Sequence, residues 1–204
     1  MGWYGEHIVP RITNLSCGSK RMRPMRERVV GGLSGEVVEV GFGTGLNVPF
    51  YPAAVASVKA VEPSEVSKRL ASARVAASSV PIDFVGLDGA HLPLDDESAD
   101  HVLSTWTLCT IPDVEAALAE VKRVLRPGGV FHFVEHGQAP DEKVARAQDR
   151  WTPLNMRLGG GCHLNRPILD LVNASGLEVT QIDRYYIKGP KLVGYMYEGS
   201  AQKT

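Results

Sequence analysis

Residues 36–47, Glu-Val-Val-Glu-Val-Gly-Phe-Gly-Thr-Gly-Leu-Asn, limit what this chain can fold into more than any other stretch. Val37, Val38 and Val40 form a β-branched run that stops at glycine, as a buried parallel strand does. Gly41, Gly43 and Gly45 then alternate with Phe42 and Thr44. Without a Cβ, glycine can turn with positive φ or lie flat against a ligand. Asn47 is placed to cap a following helix whose N-terminal amides would face that ligand. A dinucleotide turn needs G-x-G-x-x-G, and here Leu46 holds the sixth position, so that fingerprint fails. Glu39, two residues before Gly41, would repel a pyrophosphate and suits a cationic ligand. From these residues alone, a glycine-rich βα turn with no ligand reads equally well.

A chain of 204 residues is one domain of ordinary size. With 44% hydrophobic and 22% charged residues it has the balance of a soluble globular protein. A net charge of −1 gives no electrostatic case for a nucleic-acid partner. No apolar run approaches the ~18–20 residues of a membrane span, so no transmembrane segment is expected. Cys17, Cys109 and Cys162 cannot all pair and show no C-x-x-C spacing, which points to reduced thiols and a cytoplasmic location.

The remaining segments alternate strand and helix. Trp3, Tyr4, Ile8, Ile12 and Leu15 fall at helical spacing across Pro10, which predicts a kinked or broken amphipathic helix, either packed on the domain edge or acting as a lid. Residues 16–30 carry Lys20, Arg21, Arg23, Arg26 and Arg28, a basic face that is ordinarily solvated and offers peripheral contact with a membrane or an acidic substrate. A helix of about two turns is expected over 46–51, a second strand over 58–61 and a helix from Ser64 to about Ala77. Glu62, at the end of the second strand, is placed to accept hydrogen bonds from ribose hydroxyls, with Pro63 and Ser64 beside it. A third strand over 82–87 ends in Asp88-Gly89-Ala90, where Asp88 alone fits an Asx-turn or helix cap as well as a ligand site. A fourth strand over 102–104 runs into Thr105-Trp106. In an open α/β sheet this segment lines the ligand site, since ligands bind beyond the carboxyl ends of the strands. Asp113 should cap a helix with Val114, Ala117, Leu118, Val121 and Leu125 on one side. Pro127-Gly128 suits a type II turn, and a fifth strand over 130–134 leads to Glu135-His136. Asn165 should cap a helix to Ala174. Residues 179–187 and 193–197 read as a closing antiparallel pair, with fraying after Glu198.

The ordered set Glu39-Val-Gly-Phe-Gly-Thr-Gly45, Glu62-Pro-Ser, Asp88-Gly-Ala and Val124-Leu-Arg-Pro-Gly-Gly129 resembles the class I S-adenosylmethionine (SAM) methyltransferases of the ubiquinone/menaquinone type. Leu108-Cys-Thr-Ile111, Phe133-Val-Glu-His136 and Gly161-Cys-His-Leu-Asn-Arg166 resemble, more narrowly, the methyltransferase-like thiol S-methyltransferases and their bacterial relatives. The resemblance covers about residues 36–197. It implies an α/β, Rossmann-like, doubly wound seven-stranded sheet, mostly parallel with one antiparallel strand near the C-terminus. It implies a methyltransferase domain over 35–204, beside which residues 1–34 are read from their helical spacing as a lid or cap, and residues 140–165, where the strand–helix alternation breaks, as a substrate-side insertion. The cofactor is SAM, leaving as S-adenosylhomocysteine. Its implied contacts are Glu39, Gly41, Gly43, Gly45, Asn47, Glu62, Pro63, Ser64, Asp88, Gly89, Ala90, Thr105 and Trp106. The implied acceptor is a small molecule, with a thiol favoured over a quinol, a phenol or a phospholipid headgroup. A non-catalytic SAM-binding protein is the rival from another class.

Methyl transfer from a sulfonium needs alignment and desolvation more than acid–base work. A thiol reacts as its thiolate, and with a free pKa near ~8.5 it needs only a modest base or a positive neighbour. His136 is the first candidate base and His163 the second. Either serves equally as a hydrogen-bonded structural histidine. Cys109, His136, Cys162 and His163 are zinc-compatible types, but their spacing matches no zinc motif and no metal is expected.

Overall fold

The computed structural model describes residues 3–86 and 88–204. Strands β1 (Gly35–Val40), β2 (Val55–Val61), β3 (Ile82–Gly86), β4 (Ala99–Thr105), β5 (Leu125–His136), β6 (Glu178–Tyr186) and β7 (Tyr195–Gln202) make one sheet in the order β3-β2-β1-β4-β5-β7-β6. β1 pairs in parallel with β2 and β4, β2 with β3, and β4 with β5. Only β7 runs against its neighbours, β5 and β6. This is the seven-stranded, mostly parallel sheet the sequence predicts. The strand order reverses between β1 and β4, the crevice where open α/β sheets bind ligands.

Helices cover both faces, and strand alternation decides which side each residue meets. Val38 and Val40 share a core with Ala117, Leu118 and Val121 of α5 (Val114–Val124) and with Ile168 and Val172 of α7 (Ile168–Ala174). Val37 joins the opposite core with Met25, Val29 and Val30 of α3 (Arg23–Val30). Glu39, two residues on from Val37, is thereby turned toward α3. Ser64 caps α4 (Glu65–Ala76), accepting from the Ser67 amide, and Asp113 caps α5, accepting from the Ala116 amide. Pro10 breaks the N-terminal helix as expected, into α1 (Trp3–His7) and α2 (Val9–Cys17).

The structure corrects several local expectations. The two-turn helix over 46–51 is a single 3-10 turn, Val48–Phe50, because Pro49 and Pro52 leave no room for a second turn, and Asn47 does not cap it. α6 (Glu142–Leu158) runs unbroken through Pro153, whose missing N–H coincides with a Thr152 hydroxyl donating to the Gln148 carbonyl at 2.7 Å. Asn165 does not cap α7. Pro167 holds that position, while Asn165 donates to Asp149 at 2.8 Å and its Oδ1 lies 3.2 Å from the Thr152 hydroxyl oxygen. β5 begins at Leu125, with a register shift that absorbs the Pro127-Gly128 turn, where Gly128 has φ 79°. The chain does not fray after Glu198. β7 continues to Gln202, Ala201 is buried, and the Lys203 amide donates to the Gly129 carbonyl at 3.0 Å. Leu87, read as the last residue of the third strand, lies outside the described residues.

Candidate active site

The glycine turn after β1 opens onto a cavity of about 560 Å³, within the range of small-ligand sites. Gly41, Gly43 and Gly45 have φ of 76°, 58° and 73°. A Cβ on Gly41 would overlap the Thr107 side chain, whereas one on Gly43 would meet only the Gly41 carbonyl oxygen, at an ordinary 3.8 Å. Glu62 draws the turn together. Its carboxylate accepts the Gly43 amide at 2.7 Å and the Ser64 amide at 2.8 Å. Burial raises its pKa, against these two bonds.

The cavity brings together Gly41, Gly43, Glu62, Pro63, Ser64, Asp88, Gly89, Thr105 and Trp106 of the residues singled out in the sequence. Glu39, Gly45, Asn47 and Ala90 do not border it. Asp88 borders it from an exposed turn, accepting the Ala90 amide at 2.9 Å, and that bond, with His91, holds its carboxyl low. Residues Gly5, Val9, Pro10, Thr13 and Cys17 of the N-terminal segment close one side, and Gly159 and Gly160 another.

Behind the glycine turn lies a buried polar chain. The Asn47 amide donates to Glu39 at 2.8 Å and to Thr105 Oγ1 at 3.0 Å. Tyr51 donates its hydroxyl to the other Glu39 oxygen. Arg26 donates to Asn47 Oδ1 at 2.6 Å and to Thr105 Oγ1 at 3.1 Å. Burial lifts Glu39 to about 7, against the Tyr51 and Asn47 bonds and the Arg26 charge. Glu39 therefore organises the turn from behind.

Arg26 is the residue that sequence reasoning missed. Placed with the solvated basic face, it is 5% exposed and borders the cavity, its guanidinium 4.7 Å from the centre of the Trp106 ring. The signal was present: Met22, Met25, Arg26, Val29 and Val30 fall on one helical stripe. Trp106 has φ 53°, an unusual conformation for a bulky residue, and its amide is held by the Val134 carbonyl at 2.8 Å. Strain of this kind gathers at functional sites. Glu135 pins the same turn, accepting from Ser104 and from the Thr107 amide, each at 2.9 Å.

Neither candidate histidine borders the cavity. His136 Nε2 lies 3.0 Å from Cys162 Sγ, and Cys162 Sγ lies 3.8 Å from Cys109 Sγ. Burial pulls the His136 pKa down, but Cys162 and Glu135 raise it further, so the net shift is upward. Cys162 is lowered, by the Cys109 thiol first and by His136 against burial. His163 is turned away, its Nδ1 3.1 Å from the Cys109 carbonyl and 3.3 Å from Arg166. Arg166 also donates to the Leu108 and Ile111 carbonyls, which fixes the segment after β4. Of the four zinc-compatible residues, three meet.

A family profile described as a methyltransferase domain matches residues 38–133, from β1 to β5. The chain is 36% identical to thiol S-methyltransferase TMT1B of Homo sapiens over 184 residues, covering 87% of this chain and 75% of that protein. It is 37% identical to thiol S-methyltransferase TMT1A of Homo sapiens over 183 residues, covering 80% and 72%. Its fold is similar to that of a SAM-dependent methyltransferase from Thermotoga maritima, with a TM-score of 0.68 at 22% identity, covering 98% of this chain and 100% of that one. The residues at the cavity fit such a cofactor: an open approach at Gly43 and a buried carboxylate at the end of β2. No helix among the described residues is long and apolar enough to cross a membrane. With the sheet, the cavity at its switch point and these relatives agreeing, the chain belongs to the class I SAM-dependent methyltransferases and is an enzyme that takes SAM as its methyl donor.

Proposed function

We propose that the acceptor is a small thiol, methylated on sulfur. The observation that carries this reading is the cavity's charge inventory. Among the described residues it is bordered by no histidine and no lysine, its carboxylates Glu62 and Asp88 each accept backbone amides, and the buried guanidinium of Arg26 borders it. A carbon, amine or phenol acceptor calls for a base at the reacting atom. A thiol with a pKa near ~8.5 ionises in solution, and a nearby cation favours the anion further. The names of the human relatives point the same way.

When bound, SAM supplies a methyl group already activated on a sulfonium. The glycine turn, Glu62, Pro63 and Ser64 hold its nucleoside end, with Asp88 and Gly89 at the base. Thr105 and Trp106 hold the methionine end. Glu39, Gly45, Asn47 and Ala90 set the backbone that does so. The acceptor's proton goes to solvent, and the thiolate lies where the Arg26 guanidinium borders the cavity. Transfer of the methyl group that bound SAM would supply turns the thiolate into a thioether and SAM into S-adenosylhomocysteine. α2 and the Gly159-Gly160 turn exclude water as a lid. Ile12 and Leu15 on α2, and Trp151, Leu154 and Leu158 on α6, are exposed apolar residues that favour an apolar thiol and a peripheral approach to lipid.

Methyl-labelled SAM incubated with small thiols, quinols, phenols and an ethanolamine phospholipid tests this reading by mass spectrometry, with Glu62→Ala as the control. Label on thiols is expected. Label confined to a quinol, a phenol or the lipid would overturn it.

A further inference from the structure

Three segments distant in sequence meet behind the cavity wall. Cys109 follows β4, His136 ends β5, and Cys162 lies in the loop after α6. Their ligand atoms all lie within 4.8 Å of one another. The two sulfurs are 3.8 Å apart, and His136 Nε2 is 3.0 Å from Cys162 Sγ. In a tetrahedral zinc site, Zn–S bonds of ~2.3 Å and Zn–N bonds of ~2.0–2.1 Å put sulfurs about 3.8 Å apart and sulfur and nitrogen about 3.6 Å apart. The sulfurs thus already stand at the edge length of such a site. The imidazole needs to back away from Cys162 by about half an ångström and, with its separation from Cys109 bounded at 4.8 Å, to swing toward Cys109.

We propose that Cys109, His136 and Cys162 bind zinc, and that the ion ties together the ends of β4 and β5 and the loop after α6. The ligand types select a thiophilic ion, since two thiols and an imidazole do not suit magnesium or calcium. A second observation points to an occupant. Glu135 Oε2, whose charge acts on Cys109 and on His136, is buried with no hydrogen-bond partner, which is rare and costly. With both thiols ionised on a dication, Glu135 on one side and the Arg166 guanidinium on the other, the local charge balances.

The three protein ligands leave a fourth position open, the form that catalytic zinc sites take. Trp106 and Thr110, within three residues of Cys109, and Gly159 and Gly160, within three of Cys162, border the cavity. An ion here would therefore set the wall against which an acceptor lies. Sequence spacing could not show this, because the ligands come from three separate segments.

The full chain, purified without chelator or histidine tag, is assayed for metal by plasma mass spectrometry, then stripped and titrated with cobalt(II). Stoichiometric zinc and an intense cobalt–thiolate charge-transfer band are expected. Cys162→Ser and Cys109→Ser are expected to lower metal content by about tenfold or more while still binding SAM by calorimetry. His136→Gln gives a milder variant should the cysteine variants fail to fold, and the wild-type cobalt spectrum needs no variant at all. Metal-free wild-type protein with no cobalt–thiolate band would overturn the proposal, whether thiol titration then finds three free thiols or a Cys109–Cys162 disulfide. Unchanged metal content in all three variants would overturn it too.

Discussion

Glu62 accepts the Gly43 amide at 2.7 Å, so one carboxylate at the end of β2 fixes the glycine turn at the end of β1. The same carboxylate takes the Ser64 amide and so fixes the start of α4. Both sides of the cavity depend on it. A hydrogen bond to a charged group contributes about 1.5–3 kcal/mol, and Glu62→Ala removes two, together with the acceptor proposed for a ribose. SAM affinity is expected to fall by at least about tenfold, the equivalent of ~1.4 kcal/mol, by isothermal calorimetry. Unchanged affinity would exclude Glu62 from the cofactor site.

The three glycines should not be equivalent under substitution. Gly41→Ala drives a methyl into Thr107 at a positive φ, so the whole turn must move. Gly43→Ala meets only the Gly41 carbonyl oxygen, at an ordinary 3.8 Å, and carries the left-handed penalty of about 1–2 kcal/mol, but its methyl is added to a residue that borders the cavity. Gly43→Ala is expected to melt within a few degrees of wild type and lose SAM binding. Gly41→Ala is expected to lose both. Thermal melting with and without SAM separates the two outcomes.

The sheet was legible because its signals are local. Valine runs stopped by glycine, Ser64 and Asp113 as caps, and Pro127-Gly128 as a turn each depend on a few neighbouring residues. What failed depended on distant partners. Asn47 looks like a helix cap until Arg26, Glu39 and Thr105, from three other elements, claim its side chain. Residues 199–202 look like a frayed end until β5 and β6 flank them. Arg26 looked solvated because charge was weighed above its place on the apolar stripe of α3. His136 looked like a base at the cavity because a strand end gives the edge of the sheet but not the direction of the side chain, and Cys162 intercepts it.

Glu39 gives the fold a pH dependence of unusual sign. Its folded pKa of about 7 lies above the ordinary carboxylate value of 4.5. Between those values the folded state holds more protons than the unfolded one, so stability falls as pH rises. The contribution is complete below pH 4.5 and is lost through about 7. A shift of this size corresponds to about 3 kcal/mol. Arg26, Tyr51 and Asn47 face Glu39, and none titrates in this window. Glu62 and Glu135 are also raised by burial and act in the same direction. His132, held down to about 4 by burial, and His101, also lowered, act in the opposite direction over this range, so the test is a difference: Glu39→Gln should remove a falling component from the dependence of denaturant midpoint on pH between about 5 and 7, relative to wild type. An identical slope in the variant would mean that Glu39 does not titrate there.

Arg26 and Trp106 give the sharpest test of the thiol reading. The guanidinium rests 4.7 Å from the ring centre, is fixed by Asn47 and Thr105, and borders the cavity. Burial pulls its pKa down while Cys17 and Glu39 pull it up, and an arginine in this state remains charged. If that charge favours the acceptor thiolate, removing it raises the acceptor's pKa in the complex. Arg26→Met is then expected to move the midpoint of the kcat–pH profile upward by about one unit, a differential interaction of ~1.4 kcal/mol, with thiol substrates. Arg26→Lys keeps the charge but loses the planar fork, so its profile should drop in height with its midpoint in place. Cys17→Ser controls for the other ionisable group at that end of the cavity, whose thiol is raised by burial. Should Arg26→Met lower the profile without moving it, Arg26 would only hold Trp106 in its left-handed turn, and the cation would have no part in activating the thiol.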